Sequence, residues 1–98
     1  MNTAILIKDI SENYLGHAAL YELDPPYEYE PLFSEQTLEC NQIVISAVND
    51  YIVNEVMAFP ASDGEQTSWG DLAVIRNESS HAKLLASMGY ELRSEGND

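Results

Sequence analysis

Residues 41–59, NQIVISAVNDYIVNEVMAF, decide the fold. Ile43, Val44, Ile45 and Val48 surround Ser46, and β-branched side chains, stiff at χ1, suit a pleated strand better than a helix. Asn49-Asp50 has turn chemistry, and residues 51–59 return as a second strand. The two segments are expected to pair antiparallel near the centre of a sheet, with Pro60 stopping the second by removing a donor.

Toward the N-terminus, residues 3–7 form a short apolar run that suits a buried strand, and residues 9–13 supply a turn. Gly16 opens residues 17–23, in which Ala19, Tyr21 and Leu23 alternate with Ala18, Leu20 and Glu22, as a strand closing a hairpin would require. Pro25 and Pro26 are expected to end it. Residues 24–39, DPPYEYEPLFSEQTLE, show no helical period and hold three prolines, so they read as an extended or looped surface excursion.

Toward the C-terminus, Ser62-Asp63-Gly64 reads as a turn and Trp69-Gly70-Asp71-Leu72 as irregular. The one helix lies beyond them. Asn77 or a following serine caps it, Glu78 suits its first turn, Ala82, Leu85 and Met88 line one face beside Leu84, and Gly89 stands where a left-handed C-cap is wanted. Residues 90–92 return as an edge strand and residues 93–98 fray. The expected architecture is α+β: an antiparallel sheet of four to five strands with one C-terminal helix packed on a face, a single domain over residues 1–98.

The chain is 98 residues long and 45% hydrophobic, with one Trp, six Tyr and two Phe. That is the composition of a folded domain, well above that of a disordered acidic tail. No apolar run is long enough for a membrane span and no basic leader precedes one, which points to the cytoplasm. The lone Cys40 agrees with a reducing compartment and reads as a small core residue.

Charge is the outlier. Seventeen Asp and Glu face four Lys and Arg, for a formal net charge of −13. No Lys or Arg lies between Lys8 and Arg76. Such a field repels phosphate backbones and anionic membranes and argues for a basic partner, because a surface kept only for solubility usually mixes both signs.

Catalytic and metal constellations are weak by comparison. His17 and His81 lack a Cys or His partner at ligand spacing and read as surface or packing residues. Asp63-Gly64-Glu65 lacks the repeated acids of a calcium loop. There is no Gly-rich phosphate loop or nucleophile elbow, and Cys40 has no assigned base. No enzyme activity, cofactor or metal is expected.

The segment 21–30, YELDPPYEYE, is the exception to this plainness. Glu22 and Asp24, then Glu28 and Glu30, recur at a spacing of two, which in an extended chain sets neighbouring carboxylates about 6.6 Å apart on one side. That is of the order of the phosphate spacing along a nucleic-acid strand, whose axial rise is about 3.4 Å before the winding of the backbone. Glu35 and Glu39 continue the charge, and Tyr21, Tyr27 and Tyr29 interleave it with rigid amphipathic area. The candidate partner-binding residues are therefore Glu22, Asp24, Tyr27, Glu28, Tyr29, Glu30, Glu35 and Glu39.

In size, charge and this Tyr-interleaved acidic run, the chain resembles the DNA-mimic inhibitors of phages and mobile elements, of the anti-restriction and anti-CRISPR type. FPASDGEQTSWGDL and HAKLLASMGYEL also resemble small uncharacterised phage and prophage proteins. The first resemblance implies a non-enzymatic inhibitor that acts in the bacterial host cytoplasm. It would block the nucleic-acid channel of a basic defence complex, a CRISPR effector for example, without binding nucleic acid or membrane itself. The alternative is a small phage or prophage accessory or scaffold protein that binds a protein partner through a sheet edge or the Trp69 region, its acidity incidental.

Overall fold

The computed structural model describes residues 2–14, 16–30, 35–49, 52, 54–67 and 70–93. Among the described residues, seven strands, β1 (Thr3–Asp9), β2 (His17–Tyr29), β3 (Leu38–Asn49), β4 (Asn54–Ser62), β5 (Glu65–Gln66), β6 (Ala73–Arg76) and β7 (Glu91–Arg93), join one sheet, and one α-helix, α1 (His81–Ser87), precedes β7. The sheet order is β5-β4-β3-β2-β1-β7, with β6 also on β4. A sheet with one short helix is thus present, but four to five strands is an undercount and the sheet is mixed. β7 runs parallel to β1, with Thr3 opposite Glu91 and Ile5 opposite Arg93. The chain reaches it by crossing from the β6 edge through α1, the connection that parallel pairing requires.

The 41–48 run is the middle of β3, which is hydrogen-bonded on both sides, to β2 and β4. β4 begins at Asn54; Asp50, Tyr51 and Val53 of the expected turn and strand lie outside the described residues. Pro60 does not stop it. Its carbonyl accepts from Thr67 N at 2.9 Å, so the side of the residue that lacks a donor faces the short β5 edge and leaves the β3 ladder whole. The Asp63-Gly64 turn forms with both residues at positive φ, 53° and 83°, as a two-residue hairpin of the primed type demands. Past Thr67, pairing resumes where Leu72 N donates to Ala58 O at 2.7 Å. Trp69 lies outside the described residues.

Pro25 and Pro26 likewise fail to end β2. Its pairing with β3 runs from His17↔Ala47 to Glu22↔Gln42, then shifts and resumes at Tyr27↔Cys40. Residues 23–26 of β2 thus face Asn41 alone of β3, a bulge in which neither proline is asked to donate. The Asp24–Pro25 peptide is cis. Beyond the bulge, β2 and β3 continue as a paired arm, residues 27–29 against 38–40, so part of the expected loop is strand.

The main core lies between the sheet and α1: Ala19, Tyr21 and Leu23 of β2, Ile43, Ile45 and Ala47 of β3, and Val56 and Ala58 of β4 meet Leu84, Leu85 and Tyr90. A smaller cluster on the other face, Leu20, Val44 and Ala61, is covered by Ile10 and Tyr14 of the β1–β2 connection. Ser80 caps α1, its side chain accepting from Lys83 N at 3.2 Å. Gly89 follows the helix at φ 93°, the left-handed exit expected of it. The buried stripe is His81, Leu84 and Leu85, with Met88 half-buried. Ala82 is exposed instead, because the stripe starts one residue earlier, on a histidine whose polarity hides it from an apolar pattern.

Candidate functional site

The six candidate carboxylates, Glu22, Asp24, Glu28, Glu30, Glu35 and Glu39, are all exposed. Strand alternation assigns their side. Tyr21 and Leu23, then Tyr27 and Tyr29, turn to the α1 side and pack in or against the main core, so Glu22 and Glu28 between them turn to the opposite side. The bulge divides Glu22 and Asp24 from Glu28 and Glu30, so the row bends instead of running straight. β3 adds Glu39 directly opposite Glu28. Like charges facing across a ladder destabilise it by about 0.2–1 kcal/mol, and no base among the described residues is ion-paired to either. Among the described residues the ion pairs are His17–Asp9 at 3.4 Å and Lys83–Glu78 at 3.4 Å, and neither touches the arm.

The tyrosines do not share the carboxylate face. Tyr21 is 4% exposed and belongs to the core. Tyr27 is half-buried with its ring centroid 6.3 Å from that of Tyr90, and Tyr29 is half-buried against the same core. Burial pushes the Tyr29 phenol up from its ordinary value, with Cys40 adding. Tyr90 holds the arm at its base, its hydroxyl donating to Pro25 O at 2.6 Å inside the bulge. The arm is thus acid on one side and aromatic on the other, with the aromatic side fixed to the body.

The fold also joins groups far apart in sequence. His81 Nδ1 lies 2.8 Å from the Tyr21 hydroxyl and its Nε2 lies 3.2 Å from His17 O. The His17 and His81 rings stack at 4.5 Å. A carbonyl can only accept, so Nε2 carries the proton and Nδ1 accepts from Tyr21. His17, exposed, reaches Asp9, whose other oxygen accepts from Ser11 N at 2.8 Å. Hydrogen bonds from Ser11 hold the Asp9 carboxyl below its usual range, with His17 adding. No sequence spacing could have joined His17 to His81, and a polar residue at the head of the helix stripe gave no apolar signal of its burial.

Chemically, this cluster fixes a tautomer and a helix position. Tyr21's phenol is pushed up to about 12 by burial, with the Asp9 charge adding, which leaves it a donor and not a nucleophile. Burial also pushes the Cys40 thiol up to about 11, against an opposing backbone hydrogen bond from Ala61. Among the described residues no group of three or more His, Cys, Asp or Glu is placed to hold a metal ion, and no helix is long and apolar enough to cross a membrane. No family model, curated protein or solved structure matches the chain.

Proposed function

We propose that this chain is a non-enzymatic inhibitor that mimics nucleic acid, occupying the basic nucleic-acid channel of a bacterial defence complex, of the anti-CRISPR kind. The observation that carries this reading is the β2–β3 arm. Its carboxylates are exposed, have no ion-pair partner among the described residues, and include Glu28 directly against Glu39. A fold that keeps an unrelieved like-charge pair on a braced arm gives up stability, and a basic partner surface recovers it by pairing each carboxylate with Lys or Arg. Glu22, Asp24, Glu28, Glu30, Glu35 and Glu39 are the contacts in this reading. Tyr27 and Tyr29 stiffen the arm from behind.

Electrostatic steering makes such an association fast at low salt, and screening weakens it as salt rises. The test is capture from bacterial lysate on the tagged protein, eluted by a salt gradient and, separately, by competing DNA. Release of a nucleic-acid-binding complex by both supports the reading. A partner indifferent to both overturns it and leaves an ordinary interaction module of the accessory or scaffold kind.

A further inference from the structure

The segment from His81 to Tyr90 is fixed to β2 at two points. At its start, His81 lies on Tyr21 and the His17 carbonyl, and at its end Tyr90 donates to Pro25 O at 2.6 Å. Between these points Leu84 and Leu85 are fully buried in the core. The two anchors differ in kind. The Tyr90 bond joins a phenol to a backbone carbonyl, and a carbonyl does not titrate in the physiological range. The His81 anchor is built on an imidazole that is 7% exposed and bonded at both ring nitrogens in one neutral tautomer.

We propose that His81 is an acid-operated latch, whose protonation releases the N-terminal end of α1 from β2 while the rest of the sheet stays paired. The neutral ring satisfies both neighbours, since Nε2 donates to His17 O and Nδ1 accepts from Tyr21. A second proton turns Nδ1 into a donor that meets another donor, so Tyr21 must turn its hydroxyl to keep any bond. The new charge then sits in an apolar core, at the start of a helix where cations are disfavoured, with the stacked His17 ring 4.5 Å away. The His17 ring, which reaches Asp9, further disfavours a charge on His81.

The groups facing His81 are few. From β2 come Tyr21 and His17, and from the end of β1 comes Asp9, whose negative charge opposes release but is engaged by His17. The core cluster that holds Leu84 and Leu85 draws on β3, β4 and β6 through Ile45, Val56, Ala58 and Ile75 and includes the Cys40 thiol, while β7, which also packs on the helix, carries Glu91 and Arg93, both exposed. On its own side Lys83 is exposed and paired with Glu78. The direction of the His81 titration agrees with this geometry: its proton affinity falls below the usual imidazole value, by burial first and by the His17 charge second, with the His17 carbonyl and Asp9 opposing.

The sign follows. Below the unfolded imidazole pKa of about 6.5 the free ring binds a proton that the docked ring refuses, so docking is complete above that pH and is lost as pH falls through the lower value of the docked ring. The experiment is nitrogen NMR of the His81 ring with amide hydrogen exchange on the whole chain, followed from neutral pH downward. At neutral pH the ring should be the Nε2–H tautomer. As it titrates, the Leu84 and Met88 amides, which bond back to Ser80 O and Leu84 O, should lose about tenfold or more in protection while Ile43 and Ile45 keep theirs. His81→Gln, which cannot titrate, should flatten that loss, and His17→Gln should move it to higher pH by removing the repelling ring. A His81 ring that titrates with helix and strand amides weakening together, or a helix whose protection ignores His81 protonation, would overturn the latch.

Discussion

At the scale of single residues, close approach and burial give the sharpest expectations. A Cβ on Gly16 would stand 1.9 Å from the Ala47 carbonyl oxygen. Both partners of that clash are backbone, so Gly16→Ala must move β2 against β3 and should cost about 1–3 kcal/mol or more by denaturant titration. Cys40, buried with its thiol held up at about 11, should resist a thiol-reactive probe at about pH 8.5 until the protein unfolds; labelling of the native protein at the free-thiol rate would contradict its burial. Tyr21 sets an alkaline limit. Its phenol ionises at about 12 in the fold, against 10.0 for the free group. The folded chain therefore keeps a proton that the unfolded chain releases, so this stabilisation is whole below pH 10 and is lost as pH rises toward 12. Tyr14, Tyr29 and Tyr90, also raised by burial, steepen the same decline. Tyr21→Phe should make it shallower, read as the urea midpoint against pH.

At the scale of elements, α1 is held mainly by its apolar stripe. Leu84→Ala, in a fully buried site, should cost about 2–5 kcal/mol, and Ser80→Ala, which removes the N-cap, about 1 kcal/mol. The sequence made some elements readable and hid others for definite reasons. β3 was legible because Ile43, Val44 and Ile45 admit little but a strand, and Gly89 because a left-handed helix exit favours glycine. Pro25, Pro26 and Pro60 misled because a proline ends a strand only when its missing N–H faces a neighbour that needs it, and that direction is set by the sheet. β7 could be placed at an edge, but its parallel pairing with β1 depends on a crossover that no local pattern encodes. In the arm, the expectation from sequence groups Tyr27 and Tyr29 with Glu28 and Glu30 as one binding surface, because it does not carry their alternation through to the two sides of a strand. That the tyrosine side is covered by Tyr90, 61 residues beyond Tyr29, was not legible, and neither was the meeting of His17 with His81.

At the scale of the whole molecule, a net charge of −13 means the fold works against its own field. Added salt should therefore raise the melting temperature even as it weakens partner binding, an opposition that an apolar interface would not produce. Neutralising one carboxylate of the facing pair, by Glu28→Gln or Glu39→Gln, should stabilise the free protein by about 0.2–1 kcal/mol and weaken the complex. Stability and binding are then set against each other on the same residues, as expected of a surface kept for a partner. The measurement that bears most directly on this account is binding of the captured complex to the wild-type protein and to a triple variant, Asp24→Lys, Glu28→Lys and Glu30→Lys, at matched salt, with thermal melts of both. The account predicts a variant at least as stable as the wild type whose affinity falls by about 100-fold or more, about 3 kcal/mol for three charge-assisted contacts. A stable variant that binds as tightly as the wild type would show that the acidic arm is not the binding surface.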